Sequence, residues 1–423
     1  MNPKSDAVAA GPKVPRVLLP IFLIVLVDIF GFTLVIPLLS IYAERFHASP
    51  LSATLLVSVY AACQLVSGPL LGRISDTVGR KPMLLISQAG TFIGFVVMAR
   101  ANALWVLYVA RIIDGATAGN LSLAQAYISD NTAPENRAKS FALIGISFGL
   151  GFFVGPYVTG YLSGYGLTAP IYAAAGLSMT SILCTAFLLP GGKPSGVGRG
   201  AVEAGAAAPG GTRLSIFEWA AYLEFFRRPR LAPLLAQFFC FTFAFSTFMS
   251  GFALFAERRF QWDGHPFTPR EIGYLFAFTG FLGILLQGGL MGRLVKRFGE
   301  AALARAGFLS LFIAQVMLGF IHTVGLLVVV SVFASFGTGV LRPALTSLIT
   351  QSAGRHEQGT VLGLNQSLNS IAQIIAPMLA GLFITRGLLS VWAWMAALAA
   401  VAGFILTRAG KAPVVAATDV SPA

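Results

Sequence analysis

Charge is what this chain lacks most. Only 11% of its 423 residues are Asp, Glu, Lys or Arg, against about 25% in an ordinary soluble domain. With 56% apolar residues and a mean hydropathy of +0.78, the composition excludes both a soluble enzyme of this size and a disordered chain. Cysteine and histidine are scarce too. Cys63, Cys184 and Cys240 lie inside apolar stretches without ligand spacing. They read as small buried side chains, so neither a disulfide nor a metal site is expected. His47, His265, His322 and His356 all fall between apolar runs, with no nucleophile–base pairing or cofactor loop nearby. No G-x-x-x-x-G-K-[ST] segment occurs, which excludes an ATP-driven pump. No enzymatic activity, cofactor or metal is therefore expected.

What the chain has instead is long apolar runs. A bilayer core takes roughly 20 apolar residues per helical span. Twelve spans are expected, at 17–41, 51–71, 82–99, 104–128, 140–162, 170–189, 231–255, 271–291, 301–320, 324–349, 360–385 and 388–407. Barrel strands would instead alternate over about ten residues. The fold class is thus an all-α polytopic membrane protein. The first run, Val17–Ala43, is too long for a signal-peptide core and is expected to be a span rather than a cleaved leader.

Net charge is +13 with a pI near 10.1. In a soluble protein that would suggest nucleic acid, but no nucleic-acid partner is expected here. The loops on one side, together with both tails, hold 20 Lys and Arg, while the other loops hold 6, such as Arg45 and Arg100. That bias predicts a multi-pass protein of the inner or plasma membrane with both termini in the cytoplasm. Trp105, Trp262, Trp392 and Trp394 are expected at the outer interface as an aromatic belt.

The organisation expected is a tail (1–16), a six-helix bundle (17–190), a cytoplasmic linker (191–230), a second six-helix bundle (231–408) and a tail (409–423). Residues 191–213 are rich in Gly, Ala and Pro, and 214–228 read as an amphipathic helix on the inner surface. The bundles repeat. Gly72–Lys81 aligns with Gly292–Ala301 at an offset of 220, and Gly155-Pro156 with Ala376-Pro377 at 221. Such a repeat suggests two bundles around a central path, with a binding site near the midplane.

Charges in mid-span cost on the order of 3 kcal/mol on insertion scales, so each one counts. Asp28 lies about eleven residues into span 1 and Asp114 about ten into span 4. At ~1.5 Å rise per residue both lie near the midplane of a ~30 Å core. Arg111 precedes Asp114 by three residues and shares its helix face. The three form a candidate proton-coupling cluster. Burial and a neighbouring guanidinium act in opposite senses on a carboxylate, which lets conformation tip its proton on or off. A static ion pair is the alternative. Asp114 is favoured as proton carrier and Asp28 as substrate contact. Further polar candidates for substrate contact are Gln237, Gln287, Asn365, Asn369 and Gln373, the last three forming a stripe at four-residue intervals. Arg342 lies nearer the cytoplasmic end and is expected to snorkel. Spans 7 and 8 are dense in Phe, an aromatic wall that would suit a hydrophobic substrate.

Several motifs resemble a known family. Gly72-Arg-Ile-Ser-Asp76-Thr-Val-Gly79-Arg80-Lys81 resembles the loop signature between spans 2 and 3 of the major facilitator superfamily. Arg111-x-x-x-Gly115-x-x-x-Gly119 resembles its span 4 motif, and Gly151-x-x-x-Gly155-Pro156 its antiporter signature in span 5. Over its full length the chain resembles the twelve-span drug:proton antiporters, and Asp28–Pro37 resembles span 1 of the tetracycline exporters. The resemblance implies two pseudo-symmetric six-helix bundles. It also implies a monomeric proton-driven exporter of a hydrophobic or amphipathic small molecule. Gly72, Asp76, Gly79, Arg80 and Lys81, with Asp130 and Arg137, would then latch the halves in the outward-open state. The acidic residues that tetracycline exporters carry in spans 3 and 9, and their span 8 histidine, are absent here. The proton site is therefore expected in the N-terminal half. A proton-coupled importer and a non-transporting receptor or scaffold are the rival expectations.

Overall fold

In lipid every backbone N–H and C=O must be satisfied within the protein, which leaves helices as the economical solution for apolar runs of this length. The computed structural model describes residues 18–131, 134–190, 224–353 and 357–409. The first half comprises α1 (Leu18–Glu44), α2 (Pro50–Val78), α3 (Arg80–Ala99), α4 (Leu104–Ala116), α5 (Asn120–Asn131), α6 (Pro134–Ser163) and α7 (Ala169–Leu188). The second comprises α8 (Ala232–Arg259), α9 (Pro269–Leu285), α10 (Met291–Phe298), α11 (Glu300–Phe320), α12 (Val324–Ser352), α13 (Gln358–Thr385) and α14 (Leu389–Ala409). A π-turn, Leu286–Leu290, joins α9 to α10. Among the described residues, 10 helices are long and apolar enough to cross a membrane. The tails, residues 191–223 and the Arg137 side chain lie outside the described residues, and with them most of the expected surface helix.

Local signals set the helix starts. Ser49 Oγ accepts from the Ser52 amide at 3.2 Å, and Pro50 follows as the first helical residue. Thr268 and Glu271 form a capping box at α9. Between α8 and α9 lies a short hairpin, Gln261–Trp262 paired with His265–Pro266. Asp263 and Gly264 turn it at positive φ.

The repeat is visible in the backbone. Gly79 joins α2 to α3 at φ 109°, and Gly299, 220 positions later, joins α10 to α11 at φ 77°. A side chain at either turn would be strained. Gly166 and Gly387 form a second matched pair at positive φ.

Three local expectations are corrected. The Gly72–Lys81 segment is mostly helix: Gly72 and Asp76 lie within the last turns of α2, and Gly79 alone makes the turn. The single span at 104–128 is broken between α4 and α5. There Ser87 Oγ donates to the Thr117 carbonyl and accepts from the Gly119 amide at 2.9 Å, satisfying the opened backbone. Trp392 is no belt residue. It is fully buried beside Phe255, and its Nε1 donates to the Thr247 carbonyl at 3.3 Å. Trp105, Trp262 and Trp394 are exposed.

We name the side on which α1 begins and α14 ends the basic side, after its loops. Cores differ between the two sides. Away from the basic side one apolar cluster draws on both halves, including Leu38 and Tyr42 with Phe252 and Trp392. Toward the basic side each half has its own, around Ile24 and Leu123 in the first and Leu235 and Leu345 in the second. Polar contacts between the halves follow the same division. Ser58 Oγ donates to the Ile374 carbonyl at 2.8 Å, the Leu51 amide donates to Thr385 Oγ1 at 3.0 Å, and Arg258 pairs with Glu44. The halves are sealed on the far side and separate toward the basic side.

Candidate functional site

Glycines let the halves approach. On α6, a Cβ at Gly151 would lie 2.4 Å from Ile29 Cγ2, and one at Gly155 would lie 2.1 Å from Thr33 Oγ1. These two glycines therefore seat α6 on α1. Across the interface, a Cβ at Gly273 would lie 2.6 Å from the Pro156 carbonyl, and one at Gly280 2.4 Å from Phe153 Cα. Gly381 of α13 sits as closely against Leu51 of α2. The far-side seal is thus backbone against backbone.

Below that seal, toward the basic side, lies a cavity of about 500 Å³ lined by both halves. Its ionisable lining residues are Asp28, Asp114, Tyr60 and Arg342. The candidate cluster meets here from two helices. Arg111 and Asp114 are both buried, with Arg111 Nη2 3.0 Å from Asp114 Oδ2. The Arg111 guanidinium also lies over the Tyr60 ring, 5.3 Å from its centroid. Asp28 is placed differently. Its neighbours are the neutral donors Ser181 and Gln88, and Gln88 Nε2 donates to Ser181 Oγ at 2.7 Å. Among the described residues Asp28 makes no ion pair.

The second half contributes Gln366, Asn369, Ser370 and Gln373 of α13. These recur at intervals of three and four, one true helix face. Asn369 and Gln373 of the expected stripe therefore line the cavity. Asn365 does not: it is buried, and its amide has no partner among the described residues. Gln237 is buried in α8 away from the cavity, and Gln287 is exposed on the π-turn. Of the phenylalanines in spans 7 and 8, only Phe245 reaches the lining, where Phe152 of α6 meets it at 6.1 Å. Arg342 is exposed. It lines the cavity, with its guanidinium 5.7 Å from the Phe245 ring centroid and 5.9 Å from that of Phe241.

The residues of the loop signature gather at the basic side, outside the cavity except for Gly72. Arg80 pairs with Asp76 at 2.6 Å and with Asp130 at 2.8 Å. All three belong to the first half, so in this state the network does not bridge the halves. Lys81 does separate work. Its Nζ donates to the Ala186 and Leu189 carbonyls at 2.8 and 2.7 Å, capping the end of α7. The break after α4 also serves the site, since Ala118, Asn120 and Ser122 line the cavity. Sequence reasoning missed Gln88, Ser181 and Tyr60. A glutamine in mid-span was the available signal for the first.

Comparison with known proteins follows this geometry. The family model described as Major Facilitator Superfamily matches residues 21–321 and 267–419. The chain is 30% identical over 359 residues to the class C tetracycline resistance protein of Escherichia coli, covering 84% of this chain and 86% of that one. Its fold is similar to that of the human organic anion transporter MFSD10, with a TM-score of 0.69 at 23% identity, covering 94% of this chain and 100% of that one. The nucleoside transporter NupG gives a TM-score of 0.75 at 14% identity, covering 93% and 100%.

Proposed function

Since the chain belongs to the Major Facilitator Superfamily and is a membrane transporter rather than an enzyme, we propose that it is a proton-coupled exporter of hydrophobic or amphipathic small molecules. In this reading the basic side faces the cytoplasm, the structure is the inward-open state, and a single chain suffices because its own two halves line the cavity.

One observation carries the reading: two carboxylates face one cavity, and only one of them has its counter-ion in place. Asp114 is held by Arg111. The ion that balances Asp28 must come from the cavity, either a proton or a cationic group of the substrate. Mutual exclusion at one carboxylate is what antiport requires. Substrate arriving from inside displaces the proton from Asp28. After the halves rock, a proton from outside displaces the substrate. We therefore assign the proton to Asp28 and a fixed, orienting charge to Asp114, the reverse of the division expected from sequence alone. The Asp76–Arg80–Asp130 network rearranges as the basic side closes and acts as the latch of the opposite state.

A growth-inhibition panel in a host lacking its own exporters tests this. Expression should raise tolerance to several amphipathic compounds, and a protonophore should abolish the gain. Heightened sensitivity, or tolerance indifferent to the protonophore, would overturn the reading.

A further inference from the structure

The far-side seal contains a carboxylate that its neighbours leave without a donor. Glu44 ends α1 in the first half, and Glu257 and Arg258 lie in the last turn of α8 in the second. All three stand beyond the expected span ends at 41 and 255. Arg258 reaches across the interface. Its Nη2 donates to Glu44 Oε1, while its Nη1 donates to the Leu254 carbonyl of its own helix at 3.0 Å. Glu257 Oε2 is 3.7 Å from that Nη1, too far for a hydrogen bond. Although buried, this oxygen accepts from no donor among the described residues.

The charges that act on Glu257 are Glu44, across the interface, and Arg258. Other ionisable groups at this end are exposed or engaged. Arg45 after α1, His265 of the hairpin and Arg386 after α13 are exposed. Arg259 donates to the Ile321 and Gly319 carbonyls, and Glu271 of α9 caps its own helix at Thr268. Helices α2, α12 and α14 begin here without a charged residue. Two carboxylates on one guanidinium, one of them lacking a donor, resist being charged together. A single proton resolves the conflict, because on either carboxyl it supplies a hydrogen bond between the two. Separation of the halves removes the need. Glu44 then leaves with α1, and Glu257 keeps Arg258 beside it on α8.

We propose that Glu44, Glu257 and Arg258 form a proton-binding clasp that holds the far side shut: one proton shared by the two carboxyls ties α1 of the first half to α8 of the second. The sealed state binds this proton more tightly than the state in which the far side is open. Acidity on the far side therefore favours the seal, and rising pH removes the proton and loosens it. No step involves Asp28, so the proposal goes beyond the exporter reading and stands whatever the cavity carries.

The test uses the full-length protein in lipid nanodiscs, with its native cysteines replaced by serine. Spin labels are placed by Asn102→Cys and Gln261→Cys, at exposed far-side positions of the two halves. Pulsed electron resonance then reads the distance across the seal. From about pH 5 to about pH 9, the ratio of long to short distances should rise about tenfold, the effect of a proton held about one pH unit more tightly in the sealed state. The rise should persist in Asp28→Asn, which separates it from the proton proposed for the cavity. Glu257→Gln and Glu44→Gln should each abolish it and keep the short distance at every pH, because an amide supplies the missing donor permanently. Thermal unfolding shows whether each variant is folded, and either glutamine variant decides the test if the other is not. A ratio indifferent to pH in the native protein, a response lost in Asp28→Asn, or a response kept in a folded glutamine variant would each overturn the proposal.

Discussion

The two halves share a backbone plan and differ in where they keep charge. Arg80 begins α3 and pairs with Asp76 and Asp130. Its counterpart 220 positions later is Glu300, which begins α11 and accepts from Ser347 Oγ at 2.5 Å and Gln351 Nε2 at 2.8 Å. Gln351 stands 221 positions after Asp130, so the second half repeats the contact with one charge instead of two. Asp28 has Phe248 as its counterpart, packed on Phe252 and Phe276. The broken α4–α5 has the continuous 29-residue α12. The first half sets the cavity carboxylates beside a broken helix, and the second presents a largely neutral wall with a single guanidinium. The shared glycine turns and close helix crossings belong to the scaffold, while in the proposed function the charges belong to the coupling.

The largest effect is expected where the scaffold is shared. Gly155→Leu places carbon inside the Thr33 contact, and the affected atoms include Thr33 backbone at 3.3 Å. Transport in everted vesicles should fall below detection even where the protein still inserts, because α6 can no longer seat on α1. Full activity would show that the close crossing is incidental.

The next effect sharpens the contrast at the span break. Ser87→Ala removes the side-chain partner of the Thr117 carbonyl and the Gly119 amide, which keep only their mutual bond at 2.8 Å. A loss of about 1 kcal/mol is expected, read as a lowered Tm. The continuous α12 offers no equivalent serine to lose. An unchanged Tm would mean that water serves the break equally well.

A paired substitution breaks the comparison most economically. Asp76→Asn should slow turnover about threefold with substrate affinity kept, as for a residue that sets a conformational step rather than binding. Glu300→Gln should change turnover by less than about twofold, since its partners are neutral and the pair is near the surface. Equal effects from both would erase the functional asymmetry between the halves.

Much of the scaffold was legible in the sequence because hydropathy, loop charge and glycine spacing are local signals. The 220-residue repeat aligned Gly79 with Gly299, and both turn at positive φ. What escaped depends on distant neighbours. The break after α4 is held by Ser87, some 30 positions earlier, and no local pattern announces it. The stripe at Asn365, Asn369 and Gln373 assumed a period of four. The helix turns in 3.6, and the drift carried Asn365 out of the cavity while bringing Gln366 in. That Arg342 lines the cavity could not be read by counting from the end of its span. Asp28 and Asp114 do line one cavity, but which of them lacked a counter-ion depended on side-chain placement.

That last point is the centre of the account, and infrared difference spectroscopy of the purified protein tests it without knowledge of the substrate. Titrating pH should make the protonated-carboxyl band of a buried aspartate appear and vanish in the native protein. The account predicts that Asp28→Asn removes this band and Asp114→Asn retains it. A band lost with Asp114→Asn and kept with Asp28→Asn would contradict it, and so would one that both variants leave unchanged.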